Sequence, residues 1–405
     1  MTIADSAVHL KVGALGEVAR IMQGLAPGPD SAQRILFVVD EAAYAACGGD
    51  LLLEPVLRSG IVARFSGFEL NPKIDDIERG VEQAREFEPD VVIALGGGTA
   101  IDLGKLIGAL SRQRDSARDI VTGQASITRS GPPLLAIPTT AGTGSEATHF
   151  AVAYVDGEKY SVAHSTLLPN FAIVDPRLTY SLPARVTAAT GLDAFCQAIE
   201  SIWAVEATDE SIGYAADAAC YALQHLVRVT NEPTPEARLG MCHAAHLAGK
   251  AINISKTTAS HALSYPLTSR HNIPHGIAVA MTLSSMLACN ARVTADDCVD
   301  PRGAKDVLRR ISMICELLNA ATIDEACQTI DKLIADVGCP NSLAQAGIQS
   351  EEQLRQIVSS VNAQRMSNNP RVTNPESLLC ILRENATGAN PPSYPTPNID
   401  KRSDS

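Results

Sequence analysis

The sequence predicts an N-terminal α/β domain with a mostly parallel sheet, followed by an all-helical C-terminal domain. In the first half, short continuous apolar runs alternate with helical runs, which is typical of strands covered on both faces. After Pro183 the pattern changes to long segments rich in Ala and Leu, separated by polar or Pro/Gly-containing stretches. We therefore predict domains at 1–185 and 186–387 and a disordered tail at 388–405.

Individual elements follow from the same patterns. The apolar runs predict strands at Ile35–Val39, Val62–Phe65, Val91–Leu95, Leu134–Ile137 and Phe171–Val174. Asp75–Phe87 has helical spacing between two of these strands, so it predicts a βαβ unit. In the second half, periodic segments predict helices at Ala188–Ala204, Asp209–Val229, Pro235–Ile252, Ala278–Ala291, Pro301–Leu318, Ile323–Val337 and Glu351–Val361.

Composition excludes several function classes. The 405 residues include 45 Asp and Glu against 33 Lys and Arg, a net charge of −12, which disfavours nucleic-acid binding. No apolar run reaches the roughly 18–20 residues that span a bilayer, and the N-terminus lacks the layout of a secretory signal. The ten scattered cysteines contain no C-x-x-C pair and are expected to be free thiols. We expect a cytoplasmic protein without nucleic-acid or membrane partners.

A glycine-rich turn follows the strand that ends at Leu95. Gly96, Gly97 and Gly98 allow a sharp turn and a close backbone approach to a bound group, and Thr99 offers a hydroxyl at the start of a helix. The N–H groups and dipole of that helix start favour a phosphate. The alternative is a tight strand–helix turn without a ligand.

A second polar loop follows the next strand, over 137–148, and carries four Thr and one Ser. Ligands bind at this edge of open parallel sheets, so two phosphate-suited loops at successive strand ends favour a dinucleotide. Asp40, at the end of the first predicted strand, suits the ribose hydroxyls of an adenosine and would repel a 2′-phosphate. Its alternative role is the N-cap of the helix that follows.

The helical half contains candidate metal ligands. Asp193 and Gln197 are four residues apart and share a helix face, with Glu200 near that face one turn on. His261 and His275 would add two imidazoles, and this donor set suits a divalent transition-metal ion. From spacing alone, the alternatives are an ion-paired carboxylate and structural histidines. His243 and His246 share a helix face too, but we assign them a structural role.

Taken together, these residues resemble the iron-containing (group III) alcohol dehydrogenase family. The resemblance extends from about Ile35 to Ala386. It rests on the following motifs: Gly96-Gly-Gly-Thr-Ala-Ile-Asp102-Leu-Gly-Lys105, Pro138-Thr-Thr-Ala-Gly-Thr-Gly-Ser-Glu-Ala-Thr148, Leu168-Pro-Asn-Phe-Ala-Ile-Val-Asp-Pro176, Gly191-Leu-Asp193, Ala248-Gly249, His261, Pro274-His-Gly276 and Asn369-Pro-Arg371.

The resemblance implies a Rossmann-like nucleotide-binding domain and a helical metal domain, the two-domain architecture of dehydroquinate synthases, in a homodimer. Family metal positions fall on Asp193, Gln197, His261 and His275, for Fe²⁺ or Zn²⁺. Family cofactor positions, together with two further residues of the glycine-rich motif, are Asp40, Asn71, Gly96, Gly97, Gly98, Thr99, Asp102, Thr139, Thr140, Thr143, Thr148 and Lys159. Asp40 favours NADH, with NADPH as the alternative.

The sequence departs from the family pattern at two positions. Gln197 stands where the family usually has His, and a neutral amide oxygen is a poorer ligand for Zn²⁺ or Fe²⁺ than imidazole. Tyr265 stands where a second His is frequent, and it can replace that residue as a hydroxyl donor to the substrate.

Within the family, the segment Lys256–Asn272 resembles the phosphonoacetaldehyde reductases of phosphonate biosynthesis. Lys256, Arg270 and His271 place cations close in sequence to His261, and a phosphonate dianion would offset their repulsion of a metal. We therefore expect these three residues to bind a small anionic aldehyde. The alternative is that Lys256 and Arg270 are solvated surface charges.

The predicted activity is reversible hydride transfer between a nicotinamide and an aldehyde, which the metal polarises as a Lewis acid. Tyr265, His271 or water would supply the proton. The favoured reaction converts phosphonoacetaldehyde to 2-hydroxyethylphosphonate, and another small aldehyde or alcohol is the main alternative. A lyase of the dehydroquinate synthase type and a metal-free nucleotide-binding protein without catalysis are lesser alternatives.

Overall fold

The computed structural model describes residues 6–26, 28, 32–361 and 366–387 of the chain. The described residues form two compact units, the first comprising residues up to Phe195 and Tyr221–Asn253, the second Cys196–Cys220 and the residues from Ile254 onward. The predicted domain boundary near residue 185 stays a prediction. The expected disordered tail at 388–405 lies outside the described residues.

The first unit is built around a six-stranded parallel sheet with the strand order β1-β8-β5-β4-β2-β3. A separate antiparallel hairpin, β6–β7, completes its β-structure. The strands are β1 (Ala7–Leu10), β2 (Arg34–Val39), β3 (Ile61–Phe65), β4 (Val91–Gly96), β5 (Leu134–Pro138), β6 (Phe150–Val155), β7 (Glu158–Ala163) and β8 (Phe171–Val174). The helices of the N-terminal half are α1 (Glu17–Gly24), α2 (Glu41–Cys47), α3 (Gly49–Leu57), α4 (Ile74–Phe87), α5 (Gly98–Leu110) and α6 (Ala117–Val121).

Hydrophobic residues cover both faces of this sheet. Along β2, Leu36 and Val38 join one apolar cluster, whereas Ile35, Phe37 and Val39 join another. Successive side chains of a strand point to opposite faces, so a strand buried on both faces must be apolar throughout. This explains why continuous apolar runs located the inner strands.

The C-terminal half is helical, as predicted. Its helices are α7 (Ala184–Trp203), α8 (Asp209–Asn231), α9 (Pro235–Ser255), α10 (Ala259–His271), α11 (His275–Asn290), α12 (Ala304–Leu317), α13 (Ile323–Asp336), α14 (Glu351–Ser359) and α15 (Pro375–Thr387). Helices α7, α8 and α9 each contribute residues to both units. None of the helices in the described ranges is long and apolar enough to cross a membrane.

The five predicted strands and the predicted α/β-then-helical order are confirmed. The sequence patterns missed β1 and the β6–β7 hairpin. Strand β1 is a half-exposed edge strand of four residues, too short to show a pattern. Helix α10 was also missed because it has little amphipathic character and contains Pro266, a residue that ordinarily ends a helix.

Gly104 tests the close packing of α5 on the sheet, and Gly213 of α8 is its control. A Cβ at Gly104 of α5 would lie 2.5 Å from the Ala94 Cβ of β4, whereas a Cβ at Gly213 of α8 would meet no atom within 4 Å. We expect Gly104→Ala to destabilise the protein by about 1–3 kcal/mol through overpacking. Gly213→Ala should stabilise it by roughly 0.5–1 kcal/mol because Ala favours a helix. Urea unfolding followed by circular dichroism measures both, and equal effects would contradict this packing.

Candidate functional site

The glycine-rich turn joins β4 to α5. Gly96 has φ +150, and a Cβ there would lie 2.7 Å from the Ala100 Cβ, so a larger residue would be strained. Gly97 is the N-cap of α5, and no described side chain caps this helix start. The first N–H groups of such a helix are the groups that bind phosphates in other proteins, and the phosphate site expected at this turn stays a prediction.

The hydroxyl-rich loop after β5 lies beside this turn. Thr139 donates its N–H to the Gly96 carbonyl at 2.9 Å. A Cβ on Gly98 would lie 2.8 Å from Thr143 Cγ2, and one on Gly97 would lie 3.6 Å from Thr140 Cγ2. The Thr139 hydroxyl is buried and has no hydrogen-bond partner among the described residues. A buried hydroxyl ordinarily has a partner, so this atom fits a bound cofactor.

Two further predicted cofactor residues, Asp40 and Asn71, lie outside the helices, and a third, Thr99, lies in the first turn of α5. Asp40 caps α2, accepting a hydrogen bond from the Ala43 N–H at 3.1 Å, and its contact with a ribose stays a prediction. Asn71 has a left-handed φ of 67° and donates its N–H to the Thr99 hydroxyl at 3.2 Å. Asn71 and Thr99 are thus brought together although they are 28 residues apart.

Asp102, Lys105 and Thr148 form a buried network. The Lys105 ammonium donates to the Thr148 carbonyl and hydroxyl and to the Phe150 carbonyl, each at 2.9 Å. Asp102 accepts from the Ser145 hydroxyl and from a backbone N–H of β6. Burial raises the pKa of Asp102 and lowers the pKa of Lys105 to about 8. This network fixes the end of the hydroxyl loop.

Lys159 lies on β7 opposite Tyr154 of β6, and its charge acts on Asp102. The cofactor roles of Asp102, Thr148 and Lys159 stay predictions.

Three of the four predicted metal ligands converge. Ligand atoms of Asp193, His261 and His275 all lie within 4.8 Å of one another. One carboxylate and two imidazoles are a donor set that divalent transition metals accept, so these residues fit such an ion. Gln197 lies one turn after Asp193 on α7 and is equally buried, with 4% of each residue exposed.

The buried carboxylate of Glu200 sets the orientation of His261. Glu200 contacts His261 Nδ1 and also accepts hydrogen bonds from the Thr258 hydroxyl at 2.7 Å and the Ser260 N–H at 2.8 Å. Burial alone raises the pKa of Glu200, but the His261 ring and these hydrogen bonds outweigh it and lower that pKa. Because the Glu200 carboxylate accepts a hydrogen bond from the Nδ1–H of His261, Nε2 of that ring carries no proton and can ligate a metal.

Ser264 acts in the same way on His275. Its hydroxyl donates a hydrogen bond to the His261 carbonyl at 2.7 Å. Its oxygen therefore accepts the hydrogen bond from His275 Nδ1 at 3.2 Å. A hydroxyl has only one proton to donate, so His275 carries its proton on Nδ1 and presents Nε2. These contacts favour, for both imidazoles, the tautomer in which Nε2 carries no proton and can ligate a metal.

Tyr265 is part of this cluster. Its ring stacks on His275, with ring centroids 5.9 Å apart and planes 6° from parallel. The His261 and His275 rings meet edge to face at 5.5 Å. Tyr265 therefore lies beside the metal-ligand candidates, and its role as a hydroxyl donor to the substrate stays a prediction.

Of the three residues predicted to bind the substrate, two are exposed and one is half-buried. Lys256 is exposed and forms an ion pair with Glu206 at 2.8 Å. Arg270 is exposed and nine residues after His261, about two and a half helical turns, so it lies on the opposite face of α10. His271 is half-buried and about a quarter turn from the face of His261. The substrate-binding roles of all three stay predictions.

Sequence reasoning placed Glu200 near the metal face but gave it no role, and it missed Ser264. Glu200 is seven residues after Asp193, about two turns along one helix face, and its apolar surroundings were the available signal. A carboxylate on an otherwise apolar helix needs a partner, and a histidine ligand is a frequent one. Ser264 gave no signal because a lone serine in a helix is common.

Comparison with known proteins identifies the family of this chain. A sequence profile described as "Iron-containing alcohol dehydrogenase" matches residues 6–176. A second, "Fe-containing alcohol dehydrogenase family, C-terminal", matches residues 187–386. The family resemblance and the oxidoreductase class expected from the motifs are thereby confirmed.

Individual relatives point the same way. A long-chain-alcohol dehydrogenase of Geobacillus thermodenitrificans is 32% identical over 84% of this chain and 85% of its own. A phosphonoacetaldehyde reductase of Streptomyces viridochromogenes is 33% identical over 76% of this chain and 80% of its own. The crystal structure of sulfoacetaldehyde reductase from Bifidobacterium kashiwanohense in complex with NAD⁺ has TM-score 0.82 and 29% identity, covering 95% and 98%.

The role of Glu200 leads to a prediction for metal affinity. Glu200→Gln keeps the side-chain shape but removes the charge that holds the Nδ1 proton of His261. We expect metal affinity, measured by chelator competition with Zn²⁺, to fall by about 10–100-fold. Glu206→Gln, at the half-exposed partner of Lys256, is the control and should leave the affinity unchanged. Equal affinities in wild type and Glu200→Gln would show that Glu200 does not orient the ligand.

Proposed function

We propose that this chain, which belongs to the iron-containing alcohol dehydrogenase family, is a metal-dependent reductase of small anionic aldehydes that uses NADH. The favoured substrate is phosphonoacetaldehyde, which it would reduce to 2-hydroxyethylphosphonate. The observation that carries the proposal is the convergence of Asp193, His261 and His275 in a chain whose glycine-rich and hydroxyl loops suit a dinucleotide. The main alternative is another small aldehyde or alcohol.

The names of two relatives support an anionic substrate. Phosphonoacetaldehyde and sulfoacetaldehyde are both two-carbon aldehydes that carry a tetrahedral anionic group. The long-chain-alcohol dehydrogenase supports the alternative, because its name denotes an uncharged substrate. The structure of the sulfoacetaldehyde reductase contains NAD⁺, which supports the proposed preference for NADH together with Asp40 at the end of β2.

In the proposed mechanism, Asp193, Gln197, His261 and His275 would hold the metal ion. When bound, the ion supplies a Lewis acid for the carbonyl oxygen, and NADH supplies the hydride for the carbonyl carbon. Glu200 and Ser264 keep both imidazoles in the ligating tautomer throughout.

Tyr265 donates the proton that the substrate oxygen needs after hydride addition. Its ring is fixed against His275, so its position relative to the proposed ligands is constrained. A positioned tyrosine hydroxyl is an established type of general acid. His271 and water remain the alternative donors in this proposal.

The charged end of the substrate would contact α10. Of the two basic residues in the last turn of this helix, His271 lies nearer to the face that carries His261. We assign His271 to the phosphonate for this reason, and Lys256 and Arg270 to outer positions.

A cytoplasmic location and a homodimeric state belong to the proposal as well. All ten cysteines are free thiols, as a reducing compartment would maintain them. Fractionation of cells and analytical ultracentrifugation of the purified protein test the two statements.

The activity is tested by following NADH and NADPH oxidation with a panel of aldehydes, including phosphonoacetaldehyde and acetaldehyde, with Fe²⁺ or Zn²⁺ added back. We expect NADH-dependent reduction that requires metal and is abolished in His261→Ala, which also loses bound metal. His243→Ala, whose ring stacks on Tyr221 instead, should retain metal and most activity. Turnover at the wild-type rate in His261→Ala would rule out the metal site, and a wild type without bound metal would favour the nucleotide-binding alternative.

The anion site is tested by comparing two substrates in two variants. We expect His271→Ala to raise KM for phosphonoacetaldehyde by about 10–100-fold, the cost of a lost charge-assisted hydrogen bond, and to leave KM for acetaldehyde nearly unchanged. Arg270→Ala, on the opposite face, should alter both KM values by the same small factor. A selective effect in Arg270→Ala alone would instead place the anion at Arg270.

A further inference from the structure

A buried asparagine in the C-terminal part of the second unit joins two segments that carry the candidate metal centre. Asn368 is only 7% exposed and lies in the Asn-Asn-Pro-Arg sequence that ends at Arg371. The family resemblance included Asn369-Pro-Arg371, but the proposed function gives no role to these residues. Their contacts, all within the second unit, indicate one.

The Asn368 amide group binds both sides of a left-handed turn. Its Nδ2 donates to the Ser255 carbonyl at 2.8 Å and to the Thr257 carbonyl at 3.0 Å. The residue between them, Lys256, has φ 58, a backbone conformation that residues other than glycine disfavour. One amide group therefore stabilises a strained turn by donating hydrogen bonds to both carbonyls that flank it.

The other end of Asn368 binds the segment that follows α7. Its Oδ1 accepts the Glu206 N–H at 2.9 Å, and its carbonyl accepts the Val205 N–H at 3.0 Å. Asn368 thus connects the end of α7, which carries Glu200, to the turn that leads into α10, which carries His261.

The turn at Lys256 directly precedes the contacts that orient His261. Thr258 donates its N–H and its hydroxyl to Glu200, at 3.3 and 2.7 Å, and its hydroxyl also accepts from the Trp203 indole at 2.8 Å. These donors reach Glu200 only if the turn at Lys256 holds its left-handed form. Rotation of that turn would move Thr258 and the N-terminal end of α10 away from Glu200.

Asn368 is itself held rigidly by its neighbours. Asn369 is fully buried and exchanges two side-chain hydrogen bonds with Asn290 at the end of α11, at 2.9 and 3.1 Å. Arg371 donates to Asp297 at 2.8 Å and to the Cys289 carbonyl at 2.9 Å. The motif therefore provides a fixed support for the Asn368 side chain.

We propose that Asn368 is a positioning residue for the metal centre: it holds the Lys256 turn so that Glu200 can orient His261. This inference rests on the proposed function only in that it assumes a metal ion at His261. Asn368 does not belong to the ligand set and makes no contact with the substrate in this proposal.

The test is the affinity of the purified protein for Zn²⁺, measured by chelator competition without any assay of turnover. We expect Asn368→Ala to weaken Zn²⁺ binding about tenfold, the lower end of the range for groups that orient metal ligands. The matched control is Asn385→Ala. Asn385 also bridges two segments, donating to the Met281 carbonyl at 2.8 Å and accepting the Leu343 N–H at 2.7 Å. It should lose thermal stability comparably but keep wild-type Zn²⁺ affinity.

A second variant distinguishes positioning from general destabilisation. Glycine adopts the left-handed conformation freely, so Lys256→Gly in the Asn368→Ala background should restore part of the lost Zn²⁺ affinity. If Asn368→Ala does not fold, Asn368→Asp carries the test, because it keeps the acceptor for Glu206 and loses the donor to both carbonyls.

Three results would overturn the inference: unchanged affinity in a folded Asn368 variant, equal weakening in Asn385→Ala, or no restoration by Lys256→Gly. A wild-type protein that binds no Zn²⁺ or Fe²⁺ would instead contradict the proposed function.

Discussion

The fully buried carboxylate of Glu200 is the constraint on which the packing of α7 and α10 in the second unit depends. An ionised carboxylate without solvent is costly unless several donors surround it, and here the donors come from Thr258, Ser260 and His261. Those residues lie on and just before α10, whereas Glu200 lies on α7. The cost of burying the charge is therefore offset only when the two helices are correctly placed. The same contact that satisfies the carboxylate sets the tautomer of His261, so folding and ligand orientation have one cause.

In the first unit, a close approach between two backbone segments holds the hydroxyl loop. A Cβ on Gly144 would lie 2.5 Å from the Gly249 Cα, so the hydroxyl loop and α9 touch through their backbones. On either side of that contact, Glu146 pairs with His246 at 3.0 Å and His149 with Asn253 at 2.6 Å. His246, Gly249 and Asn253 have the spacing of one helix face. The structural role expected for His246 is therefore a specific one, support of the loop proposed to bind the cofactor.

Sequence patterns predicted what depends on periodicity and on residue type. The inner strands were found because a strand buried on both faces must be apolar throughout, and the glycine-rich turn because only glycine permits φ +150 at Gly96. The metal-ligand candidates were found because Asp193 and Gln197 share a helix face and because the family resemblance assigned metal positions to them and to His261 and His275. What sequence did not disclose is pairing. Nothing local distinguishes Lys256, which forms an ion pair with Glu206, from a cation that awaits an anion. Nor does a local pattern link Asn368 to a turn more than a hundred residues earlier.

The predicted ligand Gln197 makes the contacts that orient His261 and His275 more important for metal binding. An amide oxygen donates less charge to a metal than an imidazole, so a set with Gln197 in place of His would bind the ion less tightly and leave it a stronger Lewis acid. Retention of the ion then depends more on how precisely the remaining ligands are presented. Glu200 fixes one imidazole and Ser264 the other, each through Nδ1, so neither ring needs to reorient on binding. In a metal site with this substitution, such preorganisation would offset the weaker donor.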